Sequence, residues 1–154
     1  MTGLRLSNIP IPEPHVVALV VAAVIHRVLP LRIPIGRRAG RIIGGPLLAA
    51  GIGFAASAVA SAGDAELEGG DALVTNGVYA LSRNPMYFGW SASVLGLALW
   101  TRSAWLLGTW TVAVLVLDRE IKREESQLRR QFGSAYETYR SHVPRYIAFP
   151  ALSD

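Results

Sequence analysis

Long apolar runs alternate with short charged zones along the chain, and the runs are of helix length. Val16 to Ile25 is ten apolar residues in succession; carried past His26 and Arg27, it predicts a helix over about 16–31, bent or ended by Pro30. Ile42 to Ala62 holds no charged residue in twenty-one positions and is the clearest spanning segment. Its Gly44, Gly45, Gly51, Gly53, Ala56 and Ala60 offer little bulk, as close helix packing in a membrane requires. Pro85 to Thr101 gives a third run of seventeen residues, about 26 Å long as a helix. Ser103 is a suitable N-cap for a fourth, over 103–117. The turn between these last two runs is so tight that they are expected to be antiparallel neighbours. The chain then returns to the level of Arg83, which brings Arg83 and Asn84 near Asp118–Glu125.

The segments between the runs carry the charge. Residues 1–14, with Pro10, Pro12 and Pro14, predict an irregular interfacial lead-in rather than a cleavable signal peptide. Residues 32–41 are a basic linker, broken by Pro34, Gly36 and Gly40 and suited to lipid headgroups. Gly63 to Asp71 is an acidic connection. From Asp118 the fourth helix is expected to leave the membrane as a charged extension, with Glu125–Arg129 as a favourable pair and Ile121, Leu128 and Phe132 as an apolar stripe. Phe132-Gly133 reads as its stop, and Ser134 to Glu137 as a capping box opening a short last helix. Tyr136 and Tyr139 share a face of that helix, and Pro144 ends it.

The expected fold is therefore all-α and a single domain over 1–154. It is a polytopic membrane protein with four spanning helices (about 16–31, 42–62, 85–101 and 103–117), both termini on one side, and a charged, amphipathic helical segment over 118–146. Composition agrees: charged residues are 17%, against about a quarter in soluble domains. The absence of cysteine removes disulfides, thiolate nucleophiles and Cys-based metal sites. His15, His26 and His142 have no metal-ligand spacing, so no metal is expected. The net charge of +4, carried almost wholly by arginine, suits anionic headgroups, and no nucleic-acid motif is present. Near the membrane ends seven basic residues on the termini side face six on the other, too even to orient the chain.

One polar, turn-rich stretch stands out between apolar runs: Thr75 to Gly89. Asn84-Pro85 reads as a helix start, with Asn84 as N-cap and Pro85 at N1. Arg83 then lies at the positive end of a helix, where a cation needs an anionic partner, either a side chain or a ligand. Contact with lipid phosphate is the plainer reading.

The series Gly77, Tyr79, Arg83-Asn84-Pro85-Met86-Tyr87 and Gly89 resembles the central motif of the integral-membrane methyltransferases, among them the isoprenylcysteine carboxyl methyltransferases and phospholipid N-methyltransferases. Glu124-Glu125, Phe132-Gly133, Tyr136, Tyr139 and Pro144-Arg145 resemble the second half of that pattern, in the right order. The resemblance implies S-adenosyl-L-methionine bound at the cytosolic face beneath the C-terminal segment, with its methyl group towards a lipid-accessible channel. By it, Arg83 to Tyr87 and Gly89 build the cofactor pocket, Glu124 and Glu125 close it, and the termini are cytosolic. A prokaryotic plasma membrane is the expected location. An arginine can hold the cofactor's carboxylate or order the site, a glutamate can accept from ribose or ammonium groups, and Tyr79, Tyr87 or Tyr136 can stack on adenine or border the sulfonium. Arg83, Asn84 and Glu125 are thus the candidate catalytic residues, with Tyr79, Pro85, Tyr87, Gly89, Glu124 and Tyr136 as further cofactor contacts.

The acceptor is expected to be lipid-like, isoprenoid or a small hydrophobic molecule. Nothing in the sequence fixes oligomeric state. No residue declares itself a general base: His142 is a candidate, but a helix-end histidine exposed to solvent is the plainer reading. Two alternatives stay open. Membrane reductases of the steroid type share a similar Arg-His/Asn-Pro motif and use NADPH. A non-enzymatic helical membrane protein would use Arg83, Glu124 and Glu125 as internal salt bridges, with no cavity beside them.

Overall fold

The computed structural model describes residues 13–63 and 72–147. The lead-in over 1–12, most of the acidic connection and the tail over 148–154 lie outside the described residues. The described elements are helices α1 (Glu13–Val28), α2 (Arg37–Ala62), α3 (Pro85–Thr101), α4 (Ala104–Phe132) and α5 (Ser134–His142), with a 3₁₀ turn at Gly77–Ala80.

Several boundaries differ from the sequence pattern for local reasons. Helix α1 begins three residues before Val16 because Pro14 falls in its first turn, where a missing N–H costs nothing. It stops at Val28, two residues short of Pro30. Helix α2 takes in Arg37 to Arg41, expected to be linker. Arg and Ala are good helix formers, and Gly40 is fixed by packing against α3. Helix α4 is continuous from Ala104 to Phe132, about 43 Å at 1.5 Å per residue, with the Ser103 side chain accepting from Leu106 N. The capping box at α5 does not form: Gly133 is the N-cap, and Glu137 instead pairs with Arg129 and Arg140.

The four long helices run alternately up and down. The α2–α3 contact is the tightest and is antiparallel: Gly44 faces Gly96 and Trp100, and Gly51 faces Gly89 and Ser93. A Cβ at Gly44 would lie 2.5 Å from Gly96 O, and one at Gly51 2.5 Å from Ser93 N, so side chains are excluded there. Of the small positions noted in the sequence, Gly53 takes no part and faces open space. Helix α4 packs chiefly on α1, through Ala22 and Leu106, and less on α3. Trp105 Nε1 donates to Leu29 O (2.7 Å) and Trp110 Nε1 to Ser91 O (3.0 Å), so both tryptophans join helices. At the far end Ile33 N donates to Arg102 O (2.8 Å) and Ala104 N to Leu31 O (3.1 Å), tying the two distal turns together.

Among the described residues α2 alone is both long and apolar enough to cross a membrane by length and composition. Helices α1 and α3 have 16 and 17 residues, short of the roughly 20 that a level hydrocarbon core needs. The count of four spanning helices therefore does not follow from helix length.

Replacing Gly51 by valine should overpack the α2–α3 contact and cost about 1–3 kcal/mol or more, because the new Cβ meets backbone rather than a movable side chain. Gly53→Ala should leave stability unchanged or slightly raised. Thermal unfolding of both variants in detergent checks this, and equal midpoints would contradict it.

Candidate functional site

The site forms where the 3₁₀ turn, the start of α3, the charged half of α4, α5 and the strap over 143–147 meet. Gly77 carries φ +58°, a conformation glycine takes without strain, and Val78 N donates to Ser61 Oγ at 3.4 Å. The turn is thereby held against the end of α2. Ser82 follows, fully buried; its Oγ donates to Arg145 O (3.0 Å) and accepts from Asn84 N (3.1 Å).

Arg83 and Asn84 both reach across to the C-terminal segment. Arg83 donates from Nε (3.2 Å) and Nη2 (3.0 Å) to Glu125 Oε1, and from Nη1 to the carbonyls of Val143 (2.8 Å) and Arg140 (3.2 Å). Its backbone N–H donates to Pro144 O (2.9 Å). Asn84 occupies the N-cap position of α3, but its side chain makes no cap bond. Its Nδ2 donates instead to Arg145 O at 3.3 Å, with a long contact of 3.5 Å to Glu125 Oε1. The strap's carbonyl takes the amide away from the helix end.

Glu125 is the centre of this network. Arg145 closes it from the other side, Nε to Oε1 (3.0 Å) and Nη2 to Oε2 (2.7 Å). The expected Glu125–Arg129 pair is absent, because Glu125 points inward to these two arginines while Arg129 pairs with Glu137. Burial works against the Glu125 charge, but the bonds and charges of Arg145 and Arg83 outweigh it and hold the carboxyl below the ordinary glutamate value. Tyr139 Oη donates to Tyr79 O (2.7 Å), and the Tyr136 and Tyr139 rings meet edge to face. Burial raises Tyr79, Tyr136 and Tyr139, with nearby carboxylates adding to it for Tyr79 (Glu124) and Tyr136 (Glu125), so all three phenols stay protonated at neutral pH.

Beside the network lies a cleft. Its volume is about 80 Å³. Tyr79, Arg83, Asn84, Pro85 and Tyr87 line one wall, and Glu124, Glu125 and Tyr136 the other. Eight residues singled out in the sequence thus meet at one cavity. Gly89 is not among them: it packs on Ala55 and Gly51 of α2, so its role is helix contact. His142 is exposed, with Nδ1 bonded to Thr138 O, and does not line the cleft. Met86, within the expected Arg83–Tyr87 wall, also lines the cleft; the sequence reading missed Ala72 to Val74, which carry no motif, and Leu128 and Tyr139. Leu128 and Tyr139 had a signal, their place on the apolar stripe and on the face shared with Tyr136. No group of acidic or histidine side chains able to hold a metal occurs among the described residues.

A family model described as phospholipid methyltransferase matches residues 39–135. The chain is also similar to protein-S-isoprenylcysteine O-methyltransferases. It is 35% identical over 82 residues to that of Schizosaccharomyces pombe, covering 49% of this chain and 32% of the relative. To that of Dictyostelium discoideum it is 33% identical over 72 residues, 46% of this chain and 30% of the relative. These matches thus span about a third of the relatives' length. Among solved structures, a eukaryotic intramembrane Ras methyltransferase, an isoprenylcysteine carboxyl methyltransferase, superposes with a TM-score of 0.62 at 22% identity, over 91% of this chain and 52% of that one. That likeness is one of fold.

Glu125→Gln should leave two arginines without their carboxylate and cost about 3–5 kcal/mol. Because the native pKa of Glu125 is depressed, its contribution is present above the ordinary glutamate value and is lost as pH falls through the native one. The wild-type unfolding midpoint should therefore drop more than the variant's between about pH 6 and about pH 3. Parallel pH profiles would show that this carboxylate is not the tie.

Proposed function

The chain belongs to the phospholipid methyltransferase family, and from that membership we propose that it is an integral-membrane enzyme that transfers a methyl group from S-adenosyl-L-methionine to a lipid-like, isoprenoid or small hydrophobic acceptor. The observation that carries this reading is the meeting of the two motif halves, Arg83 to Tyr87 and Glu124-Glu125, at one cleft.

The helix surfaces support a membrane setting. Val17, Val20 and Val24 on α1, Ile42, Ile43 and Ile52 on α2, and Val112 and Leu115 on α4 are all more than half exposed, an apolar surface that lipid would cover. Hydroxyls on these helices bond within their own helix: Ser57 to Gly53 O, Ser93 to Gly89 O, Thr111 to Leu107 O. They leave no hydroxyl donor to be satisfied by lipid. In this reading α1 to α4 all span, the two short ones by local thinning of the bilayer. The end bearing Glu13, Ala62, Pro85 and Leu117 faces the cytoplasm. The expectation of a prokaryotic plasma membrane draws no support from the named relatives, which are eukaryotic.

The cleft's donor set suits the cofactor. Tyr136, whose ring borders the cleft, brings an aromatic face to it. Glu124 would take the polar hydrogens of the ribose or ammonium group, and Tyr79, Tyr87 and Tyr136 would flank the adenine or the sulfonium. When bound, the cofactor supplies an electrophilic methyl group. Arg83 acts by order rather than by direct contact, since Glu125 and two carbonyls already engage its guanidinium. Asn84 and Glu125 tie the strap to the cleft's polar wall through Arg145. No residue supplies a base in this scheme; the tyrosines stay protonated, and proximity is the main catalytic term.

The Arg83–Glu125 ion pair is also what a packing-only protein would contain, but such a protein has no use for the cleft beside it. Titration of the full chain in nanodiscs with S-adenosyl-L-methionine and, separately, NADPH tests the reading. The methyl donor should bind saturably, and Glu124→Gln should weaken it about tenfold, or ~1.4 kcal/mol. A folded chain that binds neither molecule, or binds NADPH in place of the methyl donor, contradicts it.

A further inference from the structure

A second cavity, about 230 Å³, lies against the first, with Glu125 and Tyr136 in the wall between them. Its remaining wall is strongly basic: Lys122 and Arg129 from α4, Arg140 from α5 and Arg145 from the strap. These four side chains are 56%, 53%, 44% and 32% exposed, so the cavity is open to solvent. We propose that it binds a phosphate group, either free or borne by an anionic lipid headgroup.

Charge, geometry and an unmet hydrogen bond point the same way. The lining cations number four, while the carboxylates paired with them, Asp118, Glu125 and Glu137, number three. The wall therefore keeps a net positive charge, which favours an anionic phosphate. The cations converge from three elements rather than along one helix face, which suits an anion with three or four acceptor oxygens better than a planar carboxylate. They are also held in place. Glu137 binds both Arg129 and Arg140, and Glu125 engages Nε and Nη2 of Arg145. The Nη1 group of Arg145 makes no bond among the described residues and stays free to donate. Tyr136 is 1% exposed, and its hydroxyl has no partner among the described residues. Burial and the Glu125 charge keep that hydroxyl protonated, so it is a donor to an anion.

This inference does not rest on the methyl-transfer reading, because its readout needs no methyl donor. The full chain is placed in phosphatidylcholine nanodiscs, and its unfolding midpoint is followed against inorganic phosphate at constant ionic strength, with chloride as the matched salt. Phosphate should raise the midpoint saturably. Arg140→Gln should weaken the effect about tenfold and Tyr136→Phe severalfold, while Arg119→Gln, outside the cavity, should leave it intact. Tyr136→Phe removes an atom that has no partner, so it keeps the fold and decides the matter if Arg140→Gln does not. Nanodiscs containing phosphatidylglycerol that raise the midpoint and blunt the response to added phosphate identify the lipid headgroup as the source; an undiminished response identifies free phosphate. A phosphate response equal to that of chloride, or one that neither variant changes, overturns the proposal.

Discussion

The structure turns on one buried carboxylate. Glu125 sits in the last third of α4, beyond the apolar half of that helix, and is gripped by Arg83 from the turn before α3 and Arg145 from the C-terminal strap. Three segments far apart in sequence are joined at a single side chain. Each arginine would be costly to bury alone, and the carboxylate more so; together they satisfy one another. The backbone carbonyls of Arg140, Val143 and Arg145 complete the tie through Arg83, Ser82 and Asn84. The strap is thereby tied to residues of the cleft's polar wall, and both cavities share Glu125 and Tyr136.

Such a tie needs rigid helices beneath it. The glycine-lined α2–α3 contact provides this, because it lets two backbones approach so closely that their relative height is set. Pro85 and the 3₁₀ turn then begin at a fixed level beside the end of α2. The distal bonds between Leu31–Ile33 and Arg102–Ala104 fix the other end, so α4 brings Glu125 back to the height of Arg83.

Much of this was legible in the chain. Apolar runs located the four long helices, and the short turn at Thr101–Ser103 was enough to bring Arg83 near Glu125. The small residues of α2 announced close packing, though not which of them faces a neighbour: Gly51 does and Gly53 does not. What the sequence did not reveal was competition for polar groups. Asn84 reads as a cap and Ser134–Glu137 as a capping box, yet both give way to tertiary partners, the strap carbonyl in one case and two arginines in the other. Local propensity is worth about 1 kcal/mol at a helix end, and a charge-assisted network exceeds it. The motif resemblance gathered the cleft's polar residues but also drew in Gly89, whose contact is with α2 alone. It could not mark Ala72 to Val74, which reach the cleft only through the path of the chain.

The central claim is that the cleft bounded by Arg83–Tyr87 and Glu124–Glu125 serves methyl transfer to a hydrophobic acceptor. Incubating the chain with methyl-labelled S-adenosyl-L-methionine and a membrane extract tests it most directly. The account predicts label in a product that partitions with lipid, dependent on folded protein. A folded chain that transfers no label above the extract alone, or labels only water-soluble molecules, would contradict it.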